Sequence, residues 1–175
     1  MKYVGFLRGI NVGGNSRVSM VELKALLEKI GYEGVRTLLN SGNVLFDPPV
    51  GGGERSKEKI TKHIEDGLLK KFGWRIVVMV RSIDEIKTIL EKNPFKKNAE
   101  FKLYVSFLEK QPDIDLAKAY LALQDEENQF ALMGREIYVK IRNSKDAKAY
   151  NALEKKLNTA ATSRNINTLV KIITL

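Results

Sequence analysis

Apolar residues in this chain switch between two spacings in an order that recurs, and that order constrains the fold more than any single motif does. Residues 2–7, Lys-Tyr-Val-Gly-Phe-Leu, read as a strand. Ser19-Met20-Val21-Glu22 has the form of a capping box, a side-chain oxygen followed three residues later by Glu, so a helix is expected to begin there. Met20, Leu23, Leu26, Leu27 and Ile30 lie along one face of it, and Gly31 stands where a left-handed cap would end it. Two short apolar runs, 35–39 and 43–46, meet through Asn40-Ser41-Gly42, which suits a hairpin turn between antiparallel strands. Beyond the breaker cluster Pro48-Pro49-Val50-Gly51-Gly52-Gly53, Ile60, Ile64, Leu68 and Phe72 mark one side of a helix over 54–72, and 75–80 reads as a buried strand.

Strand, helix, strand, strand, helix, strand is the split β-α-β arrangement of ferredoxin-like domains. A short helix over 82–91 is expected next. Asn93-Pro94-Phe95-Lys96-Lys97-Asn98 reads as a junction, because proline ends a helix and polar, basic residues follow. The order then recurs. Phe101, Leu103, Val105 and Phe107 alternate along a strand, and a helix covers 114–123. The runs 128–133 and 136–141 flank Gly134-Arg135, where glycine can take the positive φ of a two-residue hairpin loop. Helices over 146–158 and 164–173 close the chain. The expected class is therefore α+β: two ferredoxin-like (split β-α-β) subdomains with antiparallel sheets, plus C-terminal helices. Residues 1–97 are expected as a β-α-β-β-α-β subdomain with a trailing helix, and 98–175 as a β-α-β-β-α subdomain with a final helix. The shared order suggests duplication, although the residues show no clear repeat.

With 175 residues, 43% of them apolar and 29% charged, the chain can bury a core of ordinary size. It has no cysteine, which rules out disulfides, thiolate nucleophiles, iron-sulfur clusters and cysteine-bound zinc. His63 is its only histidine, so a serine-histidine site or a multi-histidine metal site would have to be built around that residue. It lies beside Ile60 and Ile64 on the second helix, and a partly exposed structural histidine is preferred there to a general base. No metal site is assigned, and carboxylate-held magnesium stays open. No run approaches the ~20 apolar residues of a membrane span and the first residues lack the apolar stretch of a signal peptide, so a cytoplasmic protein without a membrane partner is expected.

Thirty Lys and Arg against 21 Asp and Glu give a net charge of +9, which favours polyanions or phosphate-bearing ligands as partners. Between 142 and 171 the chain carries Arg142, Lys145, Lys148, Lys155, Lys156, Arg164 and Lys171 against Asp146 and Glu154. Arg8-Gly9-Ile10-Asn11-Val12-Gly13-Gly14-Asn15-Ser16-Arg17 is a glycine-rich link between first strand and first helix. Such a loop can bring backbone N–H groups, and the positive end of a helix, to an anion. It has neither the Walker A ending nor the dinucleotide glycine spacing, and a plain glycine connection is the alternative. In Asn40-Ser41-Gly42-Asn43, Ser41 reads as a turn residue bonding its own backbone rather than a nucleophile. Near the end, Thr162 or Ser163 would cap the last helix, placing Arg164, Asn167 or Thr168, and Lys171 along one face that could grip an anion, unless it is simply solvated.

Three segments, Leu7-Arg8-Gly9-Ile10-Asn11-Val12-Gly13-Gly14, Ser41-Gly42-Asn43-Val44 and Thr162-Ser163-Arg164-Asn165-Ile166-Asn167-Thr168, resemble the signature stretches of the bacterial protein family called domain of unknown function 1697. The resemblance spans nearly the full length and implies a compact two-part α+β structure; it implies no activity. Relatives often have an aromatic at Ile166, Gln at Asn40, and a Ser-Lys pair at Ala147-Lys148, so no role passes to those positions. Arg8, Asn11, Gly13, Gly14, Ser41, Asn43, Arg164, Asn165 and Thr168 are the site candidates by resemblance and chemistry, with Lys171 added from the basic face. Tyr3-Val4-Gly5-Phe6-Leu7 is similar to the first-strand motif of RNA-recognition domains, but Asn43-Val44-Leu45-Phe46 lacks the aromatic pair of the companion strand.

The function expected on these grounds is binding of an anionic, phosphate-bearing small molecule, nucleotide-like, held by the loop at 8–14 and the basic helix start at 164–171 lining one pocket. A nucleic-acid-binding protein using distributed positive charge is one alternative. A hydrolase or transferase working through Ser41, Asn43 or His63 is another. No cofactor and no oligomeric state are assigned.

Overall fold

The computed structural model describes residues 2–13, 16–49, 56–142 and 148–175, and the chain divides into two compact units, Met1–Ile86 and Lys87–Leu175. In the first unit β1 (Tyr3–Leu7), α1 (Met20–Lys29), β2 (Glu33–Leu38), β3 (Asn43–Asp47), α2 (Lys57–Phe72) and β4 (Val78–Ser82) follow in the expected order. The strands form one sheet in the order β2-β3-β1-β4, every neighbour antiparallel. Its helix-bearing face is built by alternation: Tyr3 and Leu7 of β1, Val44 and Phe46 of β3, and Val78 and Val80 of β4 pack with Leu23, Leu27, Ile60, Ile64 and Leu68 from the two helices. Between Tyr3 and Leu7 sits Gly5, where a Cβ would stand 3.3 Å from both Val44 Cγ1 and Val78 Cγ1. The helix α2 ends on Gly73 at φ 83, the left-handed cap that lets its last carbonyls be satisfied. Residues 50–55 lie outside the described residues, and α2 starts at Lys57 rather than 54 because Ser56, extended at ψ 151, caps it by accepting from Lys59 N–H at 3.4 Å.

In the second unit β5 (Lys102–Leu108), α4 (Ile114–Leu121), β6 (Asn128–Met133), β7 (Glu136–Ile141), α5 (Lys148–Asn151), α6 (Leu153–Leu157), β8 (Ala161–Asn165) and α7 (Ile166–Ile173) give a sheet ordered β6-β7-β5-β8, again wholly antiparallel. Each unit therefore has the split β-α-β topology, and the fold class is α+β with two such sheets. Leu108, Ile137, Val139 and Ile141 of the sheet pack with Tyr120, Leu153 and Leu157 of the helices.

Other expectations are corrected as well. The second unit has a fourth strand: 161–165 pairs with β5, and the last helix starts at Ile166 rather than 164. The helix expected over 146–158 is two short helices parted at Ala152, while Asp146 and Ala147 lie outside the described residues. The capping box at Ser19 does not form, since the Ser19 side chain makes no capping bond and Glu22 pairs with Lys71 at 3.2 Å. The two compact units divide within α3 (Ile83–Glu91), and in the second of them the Ile89 carbonyl accepts the Tyr138 hydroxyl of β7 at 3.0 Å.

Candidate functional site

The link from β1 to α1 is folded by its own polar groups. Asn11 takes φ 56, a left-handed conformation that asparagine tolerates better than most residues. Its side-chain amide donates to the carbonyls of Val18 (2.9 Å) and Asn40 (2.8 Å), while its Oδ1 accepts from the Val18 N–H (2.9 Å). One side chain thus ties the loop to α1's entry and to the β2–β3 turn. The turn is held from the other side as well, by Leu7 N–H donating to the Gly42 carbonyl at 2.8 Å. Gly42 has φ 77, and a Cβ there would stand 2.6 Å from Ile10 Cδ1 and 2.9 Å from Leu7 Cβ.

Asn43 is fully buried, and its amide donates to the Leu38 carbonyl (2.7 Å) and to Ser41 Oγ (3.1 Å). The structure therefore brings Asn11, Ser41 and Asn43 together in the first unit, with the Asn11 and Asn43 amides both engaged in shaping the backbone. Arg8, Asn11 and Gly13 are exposed; Gly14 lies outside the described residues.

Beside this frame is a cleft of about 730 Å³ lined by Asn11, Arg17, Val18, Ser19, Met20, Val21, Glu22 and Asn40. It opens on the first turn of α1. The earliest intrahelical bond there runs from Leu23 N–H to the Ser19 carbonyl (2.9 Å), so the N–H groups of Met20, Val21 and Glu22 precede the ladder, and no Ser19 side-chain cap covers them. Arg17, exposed on the cleft wall, adds a guanidinium. The helix start was foreseen as a possible anion site, but Arg17 was not among the candidates read from the sequence. The signal was present, an arginine two residues before a helix cap, but the Ser19–Glu22 pattern suggested that the helix start was already satisfied.

The C-terminal candidates belong to the second unit, and their setting differs from the one read in sequence. Arg164 lies on β8 opposite Val105 and is 6% exposed; its Nη1 donates to Thr162 Oγ1 (2.7 Å) and to the Ser163 carbonyl (2.9 Å). Burial draws its pKa down to about 10, against the opposing influence of Tyr150, so it remains a cation at neutral pH. Asn165 is the actual cap of α7, its Oδ1 accepting from Asn167 N–H at 2.9 Å; Thr168 is half-buried and Lys171 exposed. Next to Arg164, Ser163 Oγ lies 2.6 Å from Ser106 Oγ, and burial pushes the nearby Tyr150 hydroxyl's pKa up while its hydrogen bond to Ser163 opposes the shift. His63 is half-buried, its Nδ1 3.2 Å from the Tyr32 hydroxyl. Among the described residues no group of three His, Asp or Glu side chains could hold a metal ion, and no helix is long and apolar enough to cross a membrane.

Two tandem split β-α-β units, the first carrying a glycine-rich link that frames a cleft, define a class of two-part α+β protein. The chain belongs to the family described as Protein of unknown function (DUF1697), whose pattern it matches over residues 1–138. The third signature segment, Thr162 to Thr168, lies beyond the matched residues. Among solved structures it is similar to a conserved bacterial protein from Streptococcus pneumoniae, with a TM-score of 0.74 and 24% identity over 99% of this chain and 97% of that one. At that identity the likeness is one of fold. No curated protein matches the chain.

Proposed function

We propose that the chain binds an anionic, phosphate-bearing small molecule, nucleotide-like in its charge, and that the cleft of the first unit is where it does so. The observation that carries this reading is the uncovered start of α1: first-turn N–H groups, the positive end of a helix dipole and the Arg17 guanidinium all border one cleft of about 730 Å³. The single carboxylate on its wall, Glu22, is paired with Lys71. Asn11 serves as the brace that fixes the wall and Gly13 as a left-handed link at φ 66. Arg164 has no part in this cleft reading, because its guanidinium is turned onto its own strand. The reading takes the protein to work in the cytoplasm, where phosphorylated small molecules are held.

The test is a thermal-shift and calorimetric titration with inorganic phosphate, pyrophosphate and ATP. A ligand at about 100 times its dissociation constant should add about 2.7 kcal/mol of stability. Arg17→Ala should weaken binding about tenfold, the worth of one charge-assisted hydrogen bond, without loss of fold. No stabilisation by any of the three, or equal affinity in Arg17→Ala, rejects the cleft. Binding of short RNA with affinity falling steeply as salt rises would instead favour distributed positive charge.

A further inference from the structure

The helices α1 and α2 of the first unit enclose a second concavity, a groove of about 400 Å³ whose floor is Ala25, Leu26, Ile30 and Gly67. Gly67 occupies the interior of α2, a position where glycine weakens a helix and so needs a reason. A Cβ there would stand 3.2 Å from Ile30 Cδ1 and 3.8 Å from Leu26 Cδ1, so the glycine keeps the floor from being filled. The rim is cationic. Lys29, Lys70 and Lys71 line the groove with Glu22, and Lys71 is taken by Glu22. Lys29 and Lys70 are exposed and make no ion pair among the described residues.

We propose that this groove binds a medium-chain fatty acid, its alkyl tail on the apolar floor and its carboxylate between Lys29 and Lys70. The volume is in the range of small-molecule pockets, roughly 300–1,000 Å³. A protein partner would need about 800 Å² of surface, which a floor of four residues does not offer. Along α1 the groove runs from Glu22 to Ile30, about 12 Å at the helical rise, the length of an octanoyl to decanoyl chain. Charge complementarity selects the head group: two unpaired ammonium groups beside an apolar strip suit an amphiphile with one negative end. The groove adjoins the cleft at Arg17, sharing Glu22 as a wall, but neither its floor nor its two unpaired lysines belong to that cleft.

The test is calorimetric titration of the full chain with sodium decanoate, alongside 1-decanol and decyltrimethylammonium. Decanoate should bind saturably, decanol more weakly and the cation not at all. Ala25→Phe, at an exposed position on α1, should block the floor and abolish binding while the melting curve stays intact. Lys29→Ala and Lys70→Ala should each weaken decanoate by up to about fivefold, and Lys29→Glu with Lys70→Glu should remove it. Arg17→Ala should leave decanoate affinity unchanged, which separates this site from the phosphate cleft. The proposal is overturned by absence of saturable decanoate binding up to about 1 mM, an affinity regime already weak for any specific ligand. Undiminished binding in Ala25→Phe or in the charge-reversed pair overturns it equally, as does a decanoate site that follows Arg17.

Discussion

The first strands of the two units are near copies, Tyr3-Val4-Gly5-Phe6-Leu7 in one and Tyr104-Val105-Ser106-Phe107-Leu108 in the other, yet the chain leaves them differently. In the second unit residues 109–113 lead directly to α4, and the Asp113 carboxylate accepts from the N–H groups of Asp115 (2.9 Å) and Leu116 (3.2 Å). In the first unit the link is residues 8–19, and it ends on Ser19, whose side chain makes no capping bond. Both helices present the same positive end. One covers it with its own carboxylate. The other surrounds it with a cleft and Arg17, which is the arrangement expected if the negative charge is to come from outside the protein.

The largest effect expected from this difference lies at the hairpin glycines. Gly42 sits against the long link, so Gly42→Ala sets a left-handed alanine into contact with Ile10 and Leu7 and should cost about 2–4 kcal/mol, adding conformational strain to steric overlap. Gly134 is equally left-handed at φ 62, but the nearest atom to an added Cβ there is Glu136 Oε2 at 3.7 Å. Gly134→Ala should therefore cost only about 1 kcal/mol, the conformational part alone. Urea unfolding of the two variants checks this. Equal losses would mean that the link does not pack on the turn, and that the cleft is not rigidly framed.

How far the sequence could be read follows from the same contrast. The limits of β6 and β7 match the expected 128–133 and 136–141, because short apolar runs there flank a glycine turn. β8 was invisible to that pattern. Thr162 and Arg164 are buried by hydrogen bonding rather than by apolar character, so Ala-Thr-Ser-Arg-Asn carries no alternation of the usual kind. A comparison of the halves would have revealed it. Arg81-Ser82-Ile83 leads from β4 into α3 as Arg164-Asn165-Ile166 leads from β8 into α7, with Arg81 opposite Val4 and Arg164 opposite Val105. The glycine-rich link was legible as a candidate, but the bracing role of Asn11 depends on contacts with Val18 and Asn40. The failed capping box depends on Lys71, far along the chain, which no local pattern around Glu22 contains.

A smaller effect tests the helix starts themselves. Asp113→Ala should destabilise by about 1 kcal/mol through loss of the cap, whereas Ser19→Ala should change stability little. Ser19→Asp is the sharper variant. It should raise the melting temperature by bringing a carboxylate to the open end of α1, and it should weaken phosphate binding by occupying the same N–H groups. Thermal melts with and without pyrophosphate read both outcomes. A variant that gains stability but keeps its phosphate affinity would place the anion elsewhere.

The smallest effect concerns the helices that follow the fourth strands. At α3, Ser82 Oγ accepts from Glu85 N–H (3.1 Å) and Glu85 Oε2 accepts from Ser82 N–H (2.8 Å), with Lys57 paired to the same carboxylate. Burial alone would raise the Glu85 pKa, but the Lys57 ammonium, the Ser82 N–H and Arg81 outweigh it and hold the carboxyl below its ordinary range. A group depressed on folding stabilises the protein above its unfolded pKa, and the contribution is lost as pH falls through the folded value. The position in the second unit that matches Glu85 is Thr168, and the cap that matches Ser82 is the neutral amide of Asn165, so neither has a carboxyl to titrate. Stability should therefore fall below the ordinary carboxylate range by up to about 1 kcal/mol from this pair, which is partly exposed and screened. Glu85→Gln should remove that part of the pH profile and Asn165→Ala should not. Melting curves between pH 3 and 7 at low and high salt decide it, and an unchanged profile in Glu85→Gln would show that the two helix starts, unlike in chemistry, are alike in their response to acid.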